Sequence, residues 1–366
     1  MNKAYKYRIY PNAAQRTMLA KTFGCCRFVY NKMLESKTKH YDETHGMLQT
    51  TPAQYKEEHT FLKEVDSLAL ANEQLNLERA YSNFFRDKSV GFPKFKCKHR
   101  DKNSYTTNCV NGNIKVSGNV IVLPKIGGVH MKCHRGVPSG YKLKSCTVSQ
   151  TSSGRYFVSV LYEYDEQITP VTVQNVIGLD YSMRELYVSS DGEYAQYPRY
   201  YREALEQLAR AQRKLSHMQK GGKNYYKQKR RIAKIHEKVA NQRKDFLHNR
   251  SRQITNVCDA VAIEDLNMKA MAQALNFGKS VNDNAWGMFT SFLSYKLTQQ
   301  GKVLVKIDKW FPSSKRCSVP ECGYKHDELK LSDRTYICPK CGNVLDRDIN
   351  AAINIRNEAM RLLGVS

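Results

Sequence analysis

The chain has 366 residues, enough for two or three domains, and is strongly basic, with 59 Lys or Arg against 34 Asp or Glu and a formal net charge of +25. An excess of this size opposes compaction unless a polyanion is bound, so it indicates a nucleic acid partner. The sequence has no apolar run of about 18 residues, which a membrane span needs, and only four of its eleven cysteines form a regular set. We therefore expect a cytoplasmic protein without a secretory leader, rather than a membrane protein or a disulfide-stabilised secreted one.

The amino-terminal part combines a strand pattern with helix patterns. Tyr and Ile residues alternate with basic or small residues over residues 3–10, which is the period of a β-strand. Asn12 and Gln15 have the spacing of a capping box at a helix start, and apolar residues then recur at helical intervals. The sequence predicts a small helical domain over residues 13–95.

Short β-rich runs dominate the stretch from residue 105 to residue 164. They are separated by Asn-Gly and Ser-Gly pairs, which are typical of tight hairpin turns. Several hairpins at this spacing predict a small β-barrel, formed by residues 96–168 together with the first strand in residues 1–12. The helical domain is then an insertion in the barrel.

The sequence GFPKFKCK, residues 91–98, has two interpretations. Lys94 and Lys96 alternate with Phe92 and Phe95, so the lysines could bind phosphates while the rings stack on bases. A solvated strand with one buried aromatic face would show the same alternation. Both interpretations stay open, and Lys94 and Lys96 are candidate nucleic-acid contacts.

Further along, apolar strand patterns end in acidic residues. VIGLDYS predicts a strand ending near Asp180, and ELYVSSDG and EYAQYPRY predict two more strands joined by tight turns, an arrangement typical of the start of an RNase H-like core. AVAIED predicts a buried strand that places Glu264 at its end, and KVLVKID predicts another strand. The segment 272–287, which contains two glycines as possible hinges, is a candidate lid.

Residues 199–250 contain sixteen Lys or Arg and four Asp or Glu. Two apolar stripes at helical spacing, separated by Gly221 and Gly222, predict an antiparallel helical hairpin, which we call the basic hairpin. Charges of either sign would keep an ordinary pair of helices solvated. This pair is almost purely cationic, which favours contact with a polyanion. The candidate contacts are Lys227, Lys229, Arg230 and Arg231.

Four cysteines near the carboxyl end form two pairs separated by fifteen residues. They are Cys317, Cys322, Cys338 and Cys341. Paired thiolates can bind one ion, and a glycine directly follows both Cys322 and Cys341, where a tight turn is needed. Because four sulfurs leave no coordination position open, the sequence predicts one structural Zn²⁺ in a zinc ribbon over residues 311–345.

Two aspartates and an apolar helical pattern follow the cysteines. Asp348 lies in the predicted first turn of the last helix, and Asp346 suits a helix cap, which makes it a supporting acid. Asp180, Glu264 and Asp348 are three carboxylates brought from remote segments to the ends of predicted elements, and we call them the acidic triad. Such a set can hold two Mg²⁺ ions about 4 Å apart for phosphodiester hydrolysis.

These motifs resemble those of one family. GLDYSMRELYVSSDG, AIEDLNMKAM and CPKCGNVLDRDINAAINI are similar to the three RuvC nuclease motifs of TnpB proteins, the RNA-guided DNA endonucleases carried by bacterial insertion sequences and related to type V CRISPR effectors. YKYRIYPNAAQ, FGCCRFVYNKML and GFPKFKCK resemble the amino-terminal and middle motifs of that family. The first cysteine pair departs from the family pattern, because four residues rather than two separate its members, which lengthens a loop without removing a ligand.

The resemblance implies an α/β multidomain fold. A wedge-like β-barrel would hold an inserted helical recognition domain, and residues 169–366 would form an RNase H-like RuvC domain that contains the basic hairpin and the zinc ribbon. The resemblance also implies that the acidic triad is catalytic, with Asp346 as its neighbour.

We therefore expect a metal-dependent endodeoxyribonuclease of a transposable element, in the bacterial cytoplasm and associated with the nucleoid through DNA. It would cut double-stranded target DNA after guide RNA pairing next to a short adjacent motif. Two other functions fit the same motifs: a strand transferase acting in transposition, and a nuclease-dead RNA-guided DNA-binding repressor. The intact acidic triad argues against the repressor, and cutting without strand joining would exclude the transferase.

Overall fold

The structure, a computed structural model, describes residues 1–87, 89–274, 278–330 and 332–365. The chain divides into two compact units, Met1–Glu166 and Gln167–Ser366. Among the described residues, no helix is both long and apolar enough to cross a membrane.

The described part of the first unit combines an antiparallel sheet with two long helices. The strands are β1 (Asn2–Tyr10), β2 (Asn103–Asn108), β3 (Lys115–Ser117), β4 (Val120–Leu123), β5 (Gly127–Lys132), β6 (Lys142–Gln150) and β7 (Tyr156–Glu163). The helices are α1 (Ala13–Thr44) and α2 (Ser67–Arg86), and two short 3₁₀ helices, Pro52–Tyr55 and Thr60–Glu64, lie between them. The hydrogen-bonded order of the sheet is β2-β6-β7-β1-β5-β4-β3.

Local sequence sets the first strand and the first helix. β1 pairs with both β5 and β7, and its alternating Tyr5, Tyr7 and Ile9 are buried, as predicted. The capping box is also confirmed: the Asn12 side chain accepts from the N–H of Gln15 at 2.9 Å, and the Gln15 side chain accepts from the N–H of Asn12 at 3.0 Å. Residues close in the chain therefore specify both β1, through its alternation, and the start of α1, through the capping box.

The helices and the sheet of the first unit share one hydrophobic core. Leu19 and Val29 of α1 and Leu70 of α2 belong to the same buried cluster as Val148 and Val160 of the sheet. The helical segment is inserted between β1 and β2 in the chain, but it packs as part of a common core. Within the described residues β2 and β3 are the two edges of the sheet, so its closure into a barrel stays a prediction.

The segment 91–98 forms neither a helix nor a strand, so the strand interpretation of GFPKFKCK is wrong. The side chain of Asn31 on α1 donates to the carbonyl of Lys96 at 2.9 Å and accepts from its N–H at 2.8 Å. A neighbouring strand would have to form its hydrogen bonds with this same carbonyl and N–H of Lys96. Phe92 and Phe95 are 45% and 52% exposed rather than buried on one face.

The second unit contains a mixed sheet, a two-stranded ribbon and several helices. The strands are β8 (Val176–Ser182), β9 (Leu186–Ser189), β10 (Ala260–Glu264), β11 (Val303–Ile307), β12 (Thr335–Ile337) and β13 (Val344–Asp346). The helices are α3 (Tyr200–Ser216), α4 (Lys223–Val257), α5 (Met268–Ala274), α6 (Gly278–Asn284), α7 (Trp286–Gln299) and α8 (Arg347–Leu363). The main sheet has the order β11-β10-β8-β9, and β12 pairs with β13.

The main sheet is covered on both faces. β8, β10 and β11 are parallel, and β9 is antiparallel to β8. Ile177 and Leu179 of β8 share a buried cluster with residues of α4 and α7, whereas Val176 shares another cluster with Ile355 of α8. Alternate side chains of one strand thus enter different cores, which explains the almost continuous apolar runs of β8 and β10.

Helices α3 and α4 form the predicted hairpin. Leu208 and Ile235 are buried between the two helices, and the side chain of Gln228 donates to a backbone carbonyl of α3 at 2.8 Å. Gly221 has φ +88°, a left-handed conformation that favours glycine at this turn. Helix α4 continues beyond the predicted hairpin, to Val257.

One further strand prediction is wrong. EYAQYPRY is not a strand, since Tyr194 forms only an isolated bridge with Val188. Gln196 and Arg199 have φ values of 55° and 56°, and this left-handed backbone ends the extended chain. The candidate lid is largely helical where the structure describes it, and its residues 275–277 lie outside the described residues.

Candidate active site and metal centre

Strand register places two carboxylates side by side. Ile263 of β10 pairs with Leu179 of β8, so the next residues, Glu264 and Asp180, are neighbours at the carboxyl ends of parallel strands. Ile263 and Leu179 both point into the core made with α4 and α7. Because side chains alternate along a strand, Glu264 and Asp180 belong to the opposite face, on which α8 packs.

Gly178 allows α8 to approach that face closely. A Cβ at Gly178 would lie 2.1 Å from the carbonyl oxygen of Ala352 and 2.6 Å from the backbone nitrogen of Arg356. Asp348 precedes Ala352 by one helical turn, about 6 Å, and Asp180 follows Gly178 by two strand residues, about 6.6 Å. The two spacings match, and Asp348 is close enough to Asp180 to influence its ionisation.

Burial and like charges act together on the acidic triad. Burial raises the pKa of Asp180 well above its usual range, and the carboxylates of Glu264 and Asp348 raise it further. Burial also raises the pKa of Glu264 and that of Asp348, and Asp346 adds to the effect on Asp348. The site therefore concentrates negative charge that a bound cation would neutralise.

Ser313 holds the carboxylate of Glu264. Its hydroxyl donates a short hydrogen bond to Oε1 of Glu264, which partly opposes the effect of burial on the pKa of Glu264. Ser313 is itself buried and follows β11, so the contact joins two positions that are 49 residues apart in the chain. Such a bond restricts the glutamate to one orientation.

Two buried asparagines of α8 fasten the loop after β11 to the helix that carries Asp348. Asn354 donates to the carbonyl of Ser313 at 2.8 Å and to that of Arg316 at 2.6 Å. Asn350 donates to the same Arg316 carbonyl at 2.7 Å and accepts from the N–H of Ser318 at 3.1 Å. The loop that orients Glu264 and the helix that carries Asp348 are thus one hydrogen-bonded assembly.

Asp346 caps α8, as the sequence predicts. Its carboxylate accepts from the N–H groups of Asp348 at 2.8 Å and Ile349 at 3.2 Å. Arg347 donates to the carbonyl of Lys330 at 2.7 Å and ties the same turn to the cysteine-rich segment. The first turn of α8 is therefore fixed from both sides.

The four cysteines lie together with the geometry of a tetrahedral metal centre. Cys317 Sγ is 3.6 Å from Cys341 Sγ, Cys322 Sγ is 3.6 Å from Cys338 Sγ, and all four sulfurs are within 4.8 Å of one another. Sulfurs at about 2.3 Å from one tetrahedral ion would be about 3.8 Å apart. Burial opposes ionisation of Cys338, but backbone N–H groups of Cys341 and Lys340, together with the thiols of Cys341 and Cys322, outweigh it and lower the pKa of Cys338 to about 6. The donor set fits a structural zinc ion.

Comparisons with known proteins bear on the same residues. The family described as a probable transposase (OrfB_IS605) matches residues 159–275, a Cas12f1-like TNB domain matches residues 286–355, and a helix-turn-helix domain matches residues 1–46. A putative RNA-guided DNA endonuclease of Streptomyces pristinaespiralis is 35% identical over 365 residues, which cover 97% of this chain and 89% of that protein. This chain belongs to the TnpB family.

Two further comparisons show similarity over nearly the whole chain, one in sequence and one in fold. The putative RNA-guided DNA endonuclease InsQ of Escherichia coli K12 is 29% identical over 376 residues, covering 96% of this chain and 91% of that protein. A cryo-EM structure of a Cas12f1-sgRNA-target DNA complex has a similar fold, with a TM-score of 0.60 and 12% identity over 98% of this chain and 99% of that one. Residues 1–46 here contain β1 and the single helix α1, so the helix-turn-helix description does not fit them.

The candidate RNA or DNA contacts in this TnpB chain lie on exposed surfaces. The four candidate contacts of the basic hairpin are all exposed on α4, and none of them is paired with a carboxylate in the part of the chain that the structure describes. Lys94 is exposed as well. Lys96 instead forms an ion pair with the buried Glu73, and its Nζ is 4.1 Å from the ring centroid of Tyr30. These contacts all stay predictions, and the charge of Lys96 already has a partner.

Sequence patterns did not single out three residues that shape this candidate active site. Gly178 carries a signal, because a glycine inside an apolar strand often marks a close backbone approach. Ser313 and Asn354 carry none, since their partners are remote in the chain.

Proposed function

We propose that this chain cuts DNA by metal-dependent phosphodiester hydrolysis at the acidic triad. As a member of the TnpB family, it is an RNA-guided DNA endonuclease of an insertion sequence. The observation that carries the chemistry is the approach of β8, β10 and the first turn of α8, where the Asp180 carboxylate interacts electrostatically with those of Glu264 and Asp348.

The acidic triad is the proposed site of two Mg²⁺ ions. Mg²⁺ prefers oxygen ligands, and the triad supplies carboxylates from two strands and one helix. The repulsion that Glu264 and Asp348 exert on Asp180 supports the assignment, since cations would remove it. When bound, the ions would supply Lewis-acid chemistry for phosphodiester hydrolysis.

The other residues of the site act by positioning. Ser313 orients Glu264, Asp346 fixes the turn that contains Asp348, and Gly178 sets the distance between α8 and β8. Their arrangement matters because a displacement of about 1 Å in an active site can lower a rate about 10²-fold. The triad is thus supported from several elements of the second unit.

The four cysteines are the proposed ligands of one structural Zn²⁺. Four thiolates complete its coordination, so the ion would take no part in the reaction. Its contribution is to folding, since binding energy at such a site stabilises the surrounding segment. The expected zinc ribbon, residues 311–345, then ends at the residue before the cap of α8.

Guide RNA and double-stranded target DNA are the proposed partners. The exposed cations of the basic hairpin, together with Lys94, would neutralise phosphates, and base pairing would supply most of the sequence specificity. We further propose that the second unit is a RuvC domain with an RNase H-like sheet. The sheet and helices of the first unit would be its wedge and recognition parts, and the enzyme would act in the cytoplasm.

Cleavage of a matched duplex tests the function directly. The protein is purified with its co-purifying RNA, which is sequenced, and is then given Mg²⁺ and either a matched or a mismatched DNA duplex. We expect cut ends only with the matched duplex and none with Asp180→Ala, although this variant should still bind the target. Joined strands would indicate a transferase, and matched binding without cutting by the wild type would indicate a repressor.

A further inference from the structure

The two tryptophans of the chain have opposite environments. Trp310 is 81% exposed, the highest value for any aromatic side chain among the described residues, whereas Trp286 is 3% exposed. Tryptophan has a large apolar surface and is usually well buried. Isolated apolar residues on a surface are common, so exposure alone assigns no role to Trp310.

The position of Trp310 distinguishes it from an ordinary surface residue. Trp310 lies midway between Ile307, the register partner of Glu264 in β11, and Ser313, whose hydroxyl binds the Glu264 carboxylate. The turn 308–312 thus begins next to Glu264, at the end of β11, and ends at Ser313, which contacts Glu264 again. Three residues span at most about 11 Å and paired strands lie about 5 Å apart, so the backbone of Trp310 lies within about 16 Å of that of Glu264, or about five nucleotide steps.

The turn holds Trp310 outward by defined contacts. Asp308 accepts from the N–H of Trp310 through its side chain at 2.6 Å and from the N–H of Phe311 through its carbonyl at 3.1 Å. Phe311 packs against the core shared with α8, and the N–H of Ser313 donates to the Phe311 carbonyl at 2.8 Å. With Phe311 directed inward, the tryptophan ring is presented to solvent by a fixed backbone.

The chemistry of this turn fits a nucleic acid strand. An exposed aromatic ring stacks on any base, and a neighbouring cation can bind the phosphate of the same strand. Lys309 provides that cation, with its Nζ 5.0 Å from the centroid of the Trp310 ring. We infer that Trp310 stacks on an unpaired base of the DNA strand that enters the active site and so positions that strand at Glu264. The inference rests on the proposed nuclease function and extends it to a substrate contact.

Tryptophan fluorescence tests the contact separately from catalysis. The Asp180→Ala variant, bound to guide RNA, is excited at a wavelength selective for tryptophan while acrylamide is added, with and without matched target DNA. Because Trp286 is buried, acrylamide quenching reports mainly Trp310. We expect target binding to protect Trp310 from acrylamide, and the protection should be absent when Trp310→Phe is added to the same variant. Unchanged quenching on target binding would overturn the inference, even if the wild type cuts DNA.

Cleavage measurements complete the test. Trp310→Leu keeps an apolar side chain but removes the stacking surface, so the affinity for the target strand should fall about 5- to 150-fold, the range for losing one stacked base. Trp310→Phe should retain most of the wild-type affinity and cutting. The matched control is Tyr41→Leu, an aromatic that is 56% exposed on α1, a helix that carries none of the candidate nucleic-acid contacts, and it should have no effect at the active site.

The outcomes separate the stacking role from the nuclease function. If Trp310→Leu equals the wild type, or if both Trp310 variants lose zinc or melting temperature equally, then the residue is structural and the inference is wrong. If the wild type does not cut matched DNA at all, the nuclease proposal fails, and the quenching experiment still decides whether Trp310 contacts the strand.

Discussion

Replacing Gly178 by alanine tests whether the distance between α8 and β8 sets the geometry of the acidic triad. The added Cβ would meet the Ala352 carbonyl oxygen at 2.1 Å and the Arg356 nitrogen at 2.6 Å, both of them backbone atoms of α8. A backbone atom cannot rotate away as a side chain can. Ordinary contact begins at about 3.4 Å, so the helix and strand must separate by about 1 Å.

That separation should act mainly on the reaction. Asp348 moves with α8 while Asp180 moves with β8, so the spacing between the two carboxylates changes. A misplacement of about 1 Å can cost about 10²-fold in rate, and overpacking costs about 1–3 kcal/mol of stability. We expect Gly178→Ala to lower single-turnover cutting about 100-fold and to leave guide RNA binding and zinc content unchanged.

The assay follows cutting of a matched duplex at saturating complex, with thermal melting and zinc content measured on the same samples. Gly24→Ala is the control, because Gly24 lies inside α1 and a Cβ there would meet nothing within 4 Å. Alanine should stabilise that helix slightly. Cutting by Gly178→Ala within about twofold of the wild type would refute the role of Gly178 in the spacing.

Further predictions concern the residues around this contact. Alanine at any member of the acidic triad should abolish cutting and spare target binding, measured by gel shift and cleavage on the same complex, and Asp346→Ala should cost less because Asp346 caps the helix. Ser313→Ala should slow cutting by about 10-fold or more at unchanged zinc content, while Ser313→Thr, which keeps the hydroxyl, should be milder. Reversing the four candidate cations of the basic hairpin to Glu should weaken RNA binding. The slope of log affinity against log salt concentration should become shallower by about 0.7 to 0.9 for each lost phosphate contact. An unchanged slope would mean that the hairpin is an ordinary solvated pair of helices.

Local sequence patterns predicted the elements that carry the acidic triad. Asp180 lies in β8, Glu264 ends β10 and Asp348 lies in the first turn of α8, as expected from apolar periodicity and capping residues. The four cysteines also come together as their spacing predicted. In each case the signal lies within a few residues of the position that it predicts.

Features that depend on remote contacts could not be predicted. EYAQYPRY alternates like a strand, but the left-handed backbone at Gln196 and Arg199 has no clear sign in those residue types. The GFPKFKCK segment is not a strand, because Asn31, more than sixty residues earlier, forms the backbone hydrogen bonds of Lys96 that a strand partner would need. Propensity and alternation describe a segment alone, whereas the outcome at Lys96 was decided by a partner elsewhere in the fold.

The cysteine centre and the acidic triad are mechanically connected, and this decides what loss of zinc should do. β12 lies directly before Cys338, and it pairs with β13, which ends at Asp346, the cap of α8. On the other side, Asn350 and Asn354 bind the loop that carries both Ser313 and Cys317. Cys338→Ser should therefore lose the zinc and also lower cutting, although no cysteine belongs to the acidic triad. Metal analysis and single-turnover cleavage on one preparation check this expectation: full zinc occupancy would contradict the proposed ligand set, and zinc loss with wild-type cutting would show that the connection does not reach the acids.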